Sequence, residues 1–344
     1  MRKPISLKEI ARLAHVSHPT VSRALKDSPL ISQSTKDRIH KIATQHGYRP
    51  NRNARSLVTQ RSNFIGCVVT DIADPFISEV ISGVERVASQ SEYSIILTNS
   101  GGDPERETRA VSSLVERAID GVLIIAATTG GAASPYFSER KIPIVLVNNH
   151  HPGSFVHSIG VANYDGARSI TEHLLGLGHR NIAYIGNRFG GQADRDRFRG
   201  YQAALGQGRP NHASRLVVSS ESSLEGGRNG MRVLLSAPSR PTAVFCYDDI
   251  TALGAYKAIR EAGLRIPHDV SVAGFDDLFF SSFLEPSLTT ISQPMREMGE
   301  QAMRLLLDLL SSNRDTKQPP KMEIVIPGKL MVRESTAAPG SKGK

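Results

Sequence analysis

Several polar side chains directly follow short apolar runs, and these residues have the most evident capacity for ligand chemistry. Carboxylates accept hydrogen bonds, amides donate and accept them, and a guanidinium donates in a planar fork. In open α/β sheets, ligands bind beyond the carboxyl ends of the strands, where such side chains would lie. The candidates are Asp74 and the nearby Phe76 after FIGCVVT, Asn148 and Asn149 at the end of IPIVLVNN, Arg197 in DRDRFRGYQAAL, Asp248 and Asp249 after FCY, and Asp276 and Asp277 after VAGF.

The chain lacks the spacings that mark common catalytic and metal sites. It contains no G-x-x-x-x-G-K-[ST] phosphate loop, no H-E-x-x-H zinc motif and no G-x-S-x-G nucleophile elbow. Its 11 histidines are scattered, and the adjacent pair His150 and His151 would make a poor chelate. The glycines of GNRFGGQAD are weak evidence for a nucleotide, because a loop between lobes explains them. We therefore predict no catalytic residue, no metal, no cofactor and no enzymatic activity.

The elements that would position these side chains are β-branched runs alternating with amphipathic stretches. The runs are FIGCVVT (64–70), SIILTNS (94–100), GVLIIAA (121–127), IPIVLVNN (142–149), NIAYIGN, TAVFCYD and VSVAGFD. Nearly continuous apolar strands separated by helical segments such as ISEVISGVERVASQ predict parallel sheets with helices on both faces. Because roughly 280 residues exceed the usual size of one such domain, we expect two lobes with a cleft between them.

The positive charge of the chain is concentrated at its start. Residues 1–61 contain 13 Lys and Arg and three acidic residues, whereas the remaining 283 residues contain 29 basic and 30 acidic residues. Clustered cations gain affinity for phosphates by releasing condensed counterions, so the basic segment predicts contact with a polyanion. A basic surface that is merely solvated is the alternative.

Three short helices are predicted within the first 47 residues. Ser6 opens the first with an S-x-x-E capping box, Ser17 begins the second, and Ser32 begins the third. Two helices joined by a short turn and braced by a third form a helix-turn-helix, whose second helix enters the DNA major groove by its N-terminal end. A three-helix bundle used for protein contacts is the alternative. The predicted buried faces are Leu7, Ile10, Ala11 and Ala14, then Val21, Ala24 and Leu25, then Ile39, Ile42 and Ala43.

This basic segment resembles the N-terminal region of the LacI/GalR family of bacterial transcriptional repressors. It matches the family pattern T-x-x-D-V-A-x-x-A-G-V-S-x-x-T-V-S-R, followed by Y-x-P-N-x-x-A-R-x-L, without a gap. Residues 62–337 resemble the ligand-binding core of the same family, which is similar to the periplasmic sugar-binding proteins. The resemblance implies an all-α helix-turn-helix head and a two-lobed α/β core of the periplasmic-binding-protein type with parallel sheets.

The resemblance also implies a set of residues that contact DNA. His18 and Pro19 stand at base-reading positions, and residues 51–58 match a hinge helix in which Leu57 would insert into a minor-groove step. His15 departs from the family, which usually has Gly at this turn, and we expect slight strain there without a change of fold. Pro19 also departs from it, so the operator sequence does not follow from relatives. The DNA-binding candidates are Ser6, Ser17, His18, Pro19, Thr20, Ser22, Arg23, Asn51, Arg52, Asn53, Arg55 and Leu57.

A second set of residues would bind an effector. Arg197 matches the arginine of the family's R-x-x-G-F/Y motif, Asp276 matches the first Asp of G-F/Y-D-D, and Asp248 matches the first residue of N-D-x-x-A-L-G. An arginine and carboxylates around hydroxyl groups are suited to recognising a sugar. Ser222, or a neighbour of it, stands where several relatives have an aromatic residue. The effector candidates are Asp74, Phe76, Asn148, Arg197, Asp248, Asp276 and Gln293.

Some neighbouring residues have equally good alternative roles. Asp249 and Asp277 could cap the helices that follow them, and Arg195 could be a surface ion-pair partner.

The resemblance implies a sequence-specific DNA-binding transcriptional regulator, expected to be a repressor. We expect a homodimer on a pseudo-palindromic double-stranded DNA operator, with a sugar or sugar derivative bound between the lobes. A purine, nucleoside or other metabolite acting as co-repressor is the alternative effector. An enzyme and a transport-type solute-binding protein are remote alternatives.

The location and the domain boundaries complete these expectations. No signal-peptide core and no run of about 20 apolar residues is evident, so we expect no membrane contact and a cytoplasmic protein, associated with the nucleoid when bound to its operator. Cys67 and Cys246 lie in apolar runs and are expected to be buried strand residues. The predicted domains are a helix-turn-helix (1–49), a hinge helix and linker (50–61), a core (62–337) and a disordered tail (338–344). Within the core, lobe 1 spans about 62–162 and 292–325, and lobe 2 about 163–291 and 326–337.

Overall fold

The structure, a computed structural model, describes residues 5–25, 27–48, 61–126, 142–148, 157–206, 216–312 and 322–340. Internal contacts divide the chain into two compact units, residues 1–62 and 63–344. The first unit is called the head and the second unit the core.

The head contains α1 (Leu7–Leu13), α2 (His18–Ala24) and α3 (Gln33–Gln45). Its small apolar centre takes one face from each helix, as the spacing predicts, and consists of Ile10, Ala11, Ala14, Val21, Ala24, Ile39 and Ala43. Leu7, Leu25 and Ile42 pack against this centre and are partly buried.

The turn between α1 and α2 confirms the expectation about His15. This residue has a φ of 50°, in the left-handed region that costs a side chain with a Cβ more than it costs glycine. The turn nevertheless closes, because the Val16 N–H donates to the Ala11 carbonyl at 3.0 Å.

The core alternates strands and helices along most of its length. In chain order the described elements are β1 (Phe64–Val69), α4 (Pro75–Gln90), β2 (Ser94–Asn99), α5 (Pro104–Glu116), β3 (Gly121–Ile125), β4 (Ile144–Val147), β5 (His157–Val161), α6 (Asn163–Gly176), β6 (Ile182–Asn187), α7 (Gly191–Gly206), β7 (Val217–Ser220), α8 (Leu224–Leu235), β8 (Ala243–Cys246), α9 (Asp249–Glu261), β9 (Ser271–Ala273), β10 (Thr290–Ser292), α10 (Met295–Ser311), β11 (Met322–Ile326) and β12 (Lys329–Met331).

Two parallel sheets organise these elements into two lobes. The sheet of lobe 1 has the order β11-β5-β4-β3-β1-β2, and the sheet of lobe 2 has the order β7-β6-β8-β9. Every pairing within them is parallel, for example Cys67 with Leu97 and Tyr184 with Phe245. A separate antiparallel pair joins β10 to β12. The predicted α/β architecture with parallel sheets is confirmed.

Helices cover both faces of each sheet, because alternate strand residues enter different apolar clusters. In β3, Leu123 and Ile125 pack with α4 and α10, whereas Val122 and Ile124 pack with α5. The second sheet is layered in the same way, with α8 and α9 on one face and α6 and α7 on the other. Polar residues follow directly after the carboxyl ends of several strands, where open α/β sheets bind their ligands.

Two glycines allow α4 and α10 to touch along their backbones. A Cβ at Gly83 would lie 2.0 Å from the Arg296 carbonyl oxygen, and a Cβ at Gly299 would lie 2.0 Å from the Val80 carbonyl oxygen. Neither position has room for a larger residue, since backbone atoms cannot move aside as a side chain can.

The last described residues differ from the predicted disordered tail, which was expected to begin at residue 338. Residues 338–340 lie against lobe 2, where a Cβ at Gly178 would contact Pro339 Cδ at 3.7 Å. The preceding Ala337 carbonyl contacts the buried His179 Nε2 at 2.8 Å, and this hydrogen bond anchors the segment. Residues 341–344 lie outside the described part of the chain.

Both cysteines are buried and free, Cys67 in β1 and Cys246 in β8, as their apolar surroundings predict. Within the described residues, no helix is both long and apolar enough to cross a bilayer.

Candidate functional site

The N-terminal end of α2 carries the residues expected to read DNA bases. Ser17 is the N-cap, and its Oγ accepts a hydrogen bond from the Thr20 N–H at 3.3 Å and contacts Thr20 Oγ1 at 2.8 Å. His18 and Pro19 are the first two helical residues and are exposed. Proline is compatible with this position because the N–H groups of the first turn have no partner within the helix.

Helix α2 separates a buried face from an outward face. Val21 and Ala24 are fully buried in the head, whereas Arg23 is exposed and Ser22 is half-buried. Hydroxyl, imidazole and guanidinium groups at the N-terminal end of a helix can donate to phosphates and to base edges.

Ser6 holds the start of α1 through the predicted capping box. Its N–H donates to Glu9 Oε2 at 2.7 Å, and the Glu9 N–H donates to Ser6 Oγ at 3.3 Å. Ser32 differs from the prediction, since it precedes α3 but its side chain bonds no backbone N–H and contacts Thr35 Oγ1 at 2.9 Å. The hinge candidates Asn51, Arg52, Asn53, Arg55 and Leu57 lie outside the described residues.

In the core, Arg197 is the centre of the polar cluster. It projects from α7 with only 2% of its surface exposed. Its Nε donates to Asn163 Oδ1 at 2.8 Å, and Nη1 donates to the Tyr247 carbonyl at 2.5 Å. The guanidinium carbon also lies 3.8 Å from the centroid of the Phe275 ring and 4.4 Å from that of Tyr247. Hydrogen bonds and cation–π contacts together fix its orientation.

Asp276 faces Arg197 from the segment that follows β9. Its Oδ1 lies 3.5 Å from Arg197 Nη2 and accepts a hydrogen bond from Gln293 Nε2. Asp276 has a φ of 119°, which an L-residue rarely adopts, so the surrounding contacts must hold this backbone in place. Gln293 is 5% exposed, and its Oε1 is buried without a hydrogen-bond partner among the described residues.

Asp248 belongs to the same cluster and also begins α9. Its Oδ1 accepts from the Thr251 N–H at 2.7 Å, which caps the helix, and its Oδ2 accepts from the Ser222 hydroxyl. Ser222 therefore turns a side chain toward the cluster from the segment between β7 and α8.

Lobe 1 contributes Asp74 and Phe76 at the start of α4. Asp74 is the N-cap, and its Oδ1 accepts from the Phe76 N–H at 2.9 Å. Phe76 is 6% exposed and packs in the apolar cluster of lobe 1. Asn148 follows β4 with a φ of 51°, and its N–H donates to the Ile159 carbonyl at 2.8 Å. Among the described residues, no hydrogen bond links the Asn148 amide to the cluster.

Carboxylates of the opposite lobe contribute to the raised pKa values of Asp74 and Asp276. Burial raises the pKa of Asp74 to about 6. The hydrogen bond from the Phe76 N–H lowers this pKa, whereas the negative charge of Asp248 raises it. Burial also raises the pKa of Asp276 well above its usual range. The Arg197 charge opposes this rise, whereas Asp248, Asp249 and Asp74 add to it. The structure therefore brings together Asp74, Arg197, Asp248, Asp276 and Gln293, and among the described residues Asn148 makes no hydrogen bond to them.

Asp249 and Asp277 serve the framework and do not cap the helices. Asp249 is fully buried and accepts from the Leu278 N–H at 2.8 Å, from the Ser281 hydroxyl at 2.6 Å and from the Thr290 hydroxyl at 2.6 Å. Asp277 Oδ1 accepts from Arg333 at 2.6 Å. These bonds tie the segment bearing Asp276 to α9 and β10.

Sequence reasoning missed three residues that contact the cluster, which are Asn163, Tyr247 and Phe275. It named Ser222 as a departure from the family and did not include it among the effector candidates. Tyr247 directly follows β8, and Phe275 stands two residues after the end of β9, so the rule that selected the aspartates could have selected them as well. Asn163 carries no comparable signal in the sequence, because it is the first residue of α6 and lies 34 positions from Arg197.

A cavity of about 520 Å³ adjoins this cluster. It lies between the start of α4, residues 277–279 and the start of α10, and Gln293 lines it. Within the described residues, no group of three or more His, Cys, Asp or Glu is arranged to hold a metal ion.

Two family models match the chain. The model for bacterial regulatory proteins of the lacI family matches residues 6–51, and the model for a periplasmic binding protein-like domain matches residues 171–336. The ribose operon repressor of Haemophilus influenzae is 32% identical over 330 residues, which cover 96% of this chain and 98% of that protein.

Solved structures give the same result, one of them over nearly the full length. The lac repressor dimer bound to operator and the anti-inducer ONPF has a TM-score of 0.86 and 28% identity, covering 98% of this chain and 100% of that one. A LacI family transcriptional regulator of Enterococcus faecium with bound ribose has a TM-score of 0.70 and 26% identity, covering 80% of this chain and 99% of that one.

An exposed helix-turn-helix face and a separate two-lobed core with a buried polar cluster define a DNA-binding transcriptional regulator. The chain belongs to the LacI family of bacterial regulatory proteins.

Proposed function

We propose that this protein is a transcriptional repressor whose operator affinity is controlled by a small molecule bound between the lobes of the core. The main support is the Arg197 cluster, because it joins charged groups of lobe 2 to Asp74 of lobe 1. A ligand held by both lobes stabilises one lobe arrangement over another, and only such a differential affinity can change DNA binding.

The proposed DNA contacts are Ser6, Ser17, His18, Pro19, Thr20, Ser22 and Arg23 in the head and Asn51, Arg52, Asn53, Arg55 and Leu57 in the hinge. The proposed effector contacts are Asp74, Phe76, Arg197, Asp248, Asp276 and Gln293, together with Asn148 if the lobes move. A sugar or sugar derivative is the favoured effector, because carboxylates and an amide can pair with several hydroxyl groups at once.

We also propose that the repressor acts as a homodimer on a pseudo-palindromic operator. Phe283, a large apolar side chain of the core, is 81% exposed, and a second copy would cover it. A dimer places two heads on two half-sites, which matches the twofold symmetry of such an operator.

Two further proposals follow from the regulatory role. The protein binds its effector without chemical change and has no catalytic activity, so the ligand should be recovered unaltered after incubation. It works in the cytoplasm and is associated with the nucleoid when bound to its operator, because its DNA partner lies there.

The test pairs a site variant with a surface variant on the same helix. DNA selected from a random pool is used in gel-shift assays with a panel of sugars and nucleosides. We expect Arg197→Ala to bind the selected DNA but to lose the response to ligand, and far-ultraviolet circular dichroism should show that its core is folded. Arg199→Ala, which changes an exposed arginine of α7, should keep both properties. A full ligand response in Arg197→Ala would contradict the assignment of the site.

A further inference from the structure

The polar cluster between the lobes contains more acidic than basic groups. Asp74 enters from lobe 1, and Asp248 and Asp276 enter from lobe 2, with each of these carboxylates close enough to influence another. Among the described residues, Arg197 is the cation that the structure places against them. Asp276 therefore faces the guanidinium directly, and Asp74 and Asp248 add two further acidic groups to the cluster.

The guanidinium of Arg197 is already engaged by the protein. Its Nε and Nη1 atoms donate to Asn163 and to the Tyr247 carbonyl, and Nη2 faces Asp276. The rings of Phe275 and Tyr247 lie against it. A phosphate or carboxylate on a ligand is held best by two parallel N–H groups of such a fork. Two of the five N–H groups already donate to the protein and Nη2 faces Asp276, so a ligand anion would have to compete with the Asp276 carboxylate for the guanidinium.

A buried hydrogen-bond acceptor also stays open in the cluster. Gln293 gives its Nε2 hydrogen to Asp276, which leaves Oε1 buried and without a partner among the described residues. An unpaired buried acceptor is costly, and a donor from a ligand would satisfy it. Hydroxyl and ammonium groups are such donors, whereas ionised phosphates and carboxylates are not.

We propose that the cleft selects a hydroxyl-rich ligand without negative charge, either a neutral sugar or an amino sugar, and rejects sugar phosphates and sugar acids. This inference rests on the proposed function and narrows the effector class within it. The raised pKa values of Asp74 and Asp276 agree with it, because they indicate that burial already disfavours negative charge in the cluster.

The experiment compares matched ligands on the full-length protein by calorimetry and thermal shift. The pairs are ribose with ribose 5-phosphate, glucose with glucose 6-phosphate, and glucose with glucuronate, and glucosamine is included as the cationic member. For a pair that binds, we expect the anionic member to bind on the order of 100-fold more weakly than its parent, since like charges a few ångströms apart repel strongly in a protein interior. Equal or tighter binding of the anionic member would overturn the proposal. A panel in which no sugar of any charge binds would instead overturn the sugar effector of the proposed function.

Two variants of helix-capping aspartates test whether the cluster causes the selectivity against anionic sugars. Asp74→Asn removes one negative charge and keeps a residue that can cap the helix. We expect it to reduce the ratio of the affinity for a neutral sugar to the affinity for its anionic partner about tenfold. Asp103→Asn makes the same change at the N-cap of α5, where Asp103 accepts from the Glu105 and Arg106 N–H groups away from the cluster, and it should leave the ratio unchanged. An unchanged ratio in Asp74→Asn would show that the cluster does not set the selectivity.

Discussion

Replacement of Asp249 by Asn should flatten the dependence of stability on pH. Asp249 is fully buried at the start of α9, and burial raises the pKa of its carboxyl from 3.8 to about 7. Hydrogen bonds from Ser281, Thr290 and the Leu278 N–H lower the pKa, and the charge of Asp248 raises it. The folded core therefore keeps a proton on Asp249 that the unfolded chain releases near pH 4.

The sign and size of the effect follow from this difference in pKa. Between about pH 4 and pH 7 the folded state binds more protons than the unfolded state, so the free energy of unfolding falls as the pH rises. Each pKa unit corresponds to about 1.4 kcal/mol, so Asp249 lowers the stability by about 4 kcal/mol above pH 7 relative to strongly acidic solution. Roughly 3 kcal/mol of this loss falls between pH 5 and pH 8.

Asn preserves the shape of the side chain and most of its bonds. Its oxygen can accept from the Leu278 N–H and the Ser281 hydroxyl, and its NH₂ group can donate to the Thr290 hydroxyl, which accepts as well as donates. The variant should therefore fold, and it stays uncharged at every pH.

The assay is urea unfolding followed by far-ultraviolet circular dichroism, because the chain contains no Trp to report by fluorescence. Between pH 5 and pH 8, the wild type should lose about 3 kcal/mol more stability than Asp249→Asn. Asp103→Asn is the control, since the pKa of this exposed carboxyl is lowered by the Arg106 N–H and should not produce a loss in this range. Parallel curves for the wild type and Asp249→Asn would refute the reasoning.

Two further predictions concern the head and the core separately. Arg23→Ala should weaken operator binding and reduce the slope of log affinity against log salt concentration by about one, because one phosphate contact is lost. A salt titration followed by gel shift measures this slope. An unchanged slope would show that Arg23 does not contact phosphate. Gly83→Ala should destabilise the core by about 1–3 kcal/mol, because its Cβ would lie 2.0 Å from a carbonyl oxygen of α10. Gly176→Ala is the control, because nothing lies within 4 Å of its added Cβ, and it should be neutral or slightly stabilising. Equal melting temperatures for the two variants would contradict the close packing of α4 on α10.

Apolar strands and long amphipathic helices of this fold were predictable from sequence, and three short strands with few apolar residues or weak patterning were not. The run FIGCVVT and the amphipathic stretch after it correspond to β1 and α4 with small changes at their ends. Strands β5, β7 and β10 were not predicted. β7 has four residues, of which only two are apolar, and β10 has three. Such segments become strands because neighbouring strands pair with them, and that pairing leaves no pattern in the local sequence.

The candidate site was predictable in its position and only partly in its roles. Each of the pairs Asp248–Asp249 and Asp276–Asp277 follows a strand, and position alone does not indicate which aspartate faces the cluster. The answer depends on the unusual φ of Asp276 and on a bond from Asp277 to Arg333, which lies 56 residues away. Only the folded chain supplies these two facts.

The central claim is that ligand binding in the core and DNA binding by the head are coupled. The most direct test measures operator affinity with and without a sugar that binds the core, and then measures the affinity for that sugar with and without operator. Thermodynamic linkage requires both ratios to be the same factor, and we predict a factor of about 5–150, typical of allosteric proteins. A ligand that binds tightly to the core and leaves operator affinity unchanged would contradict the account.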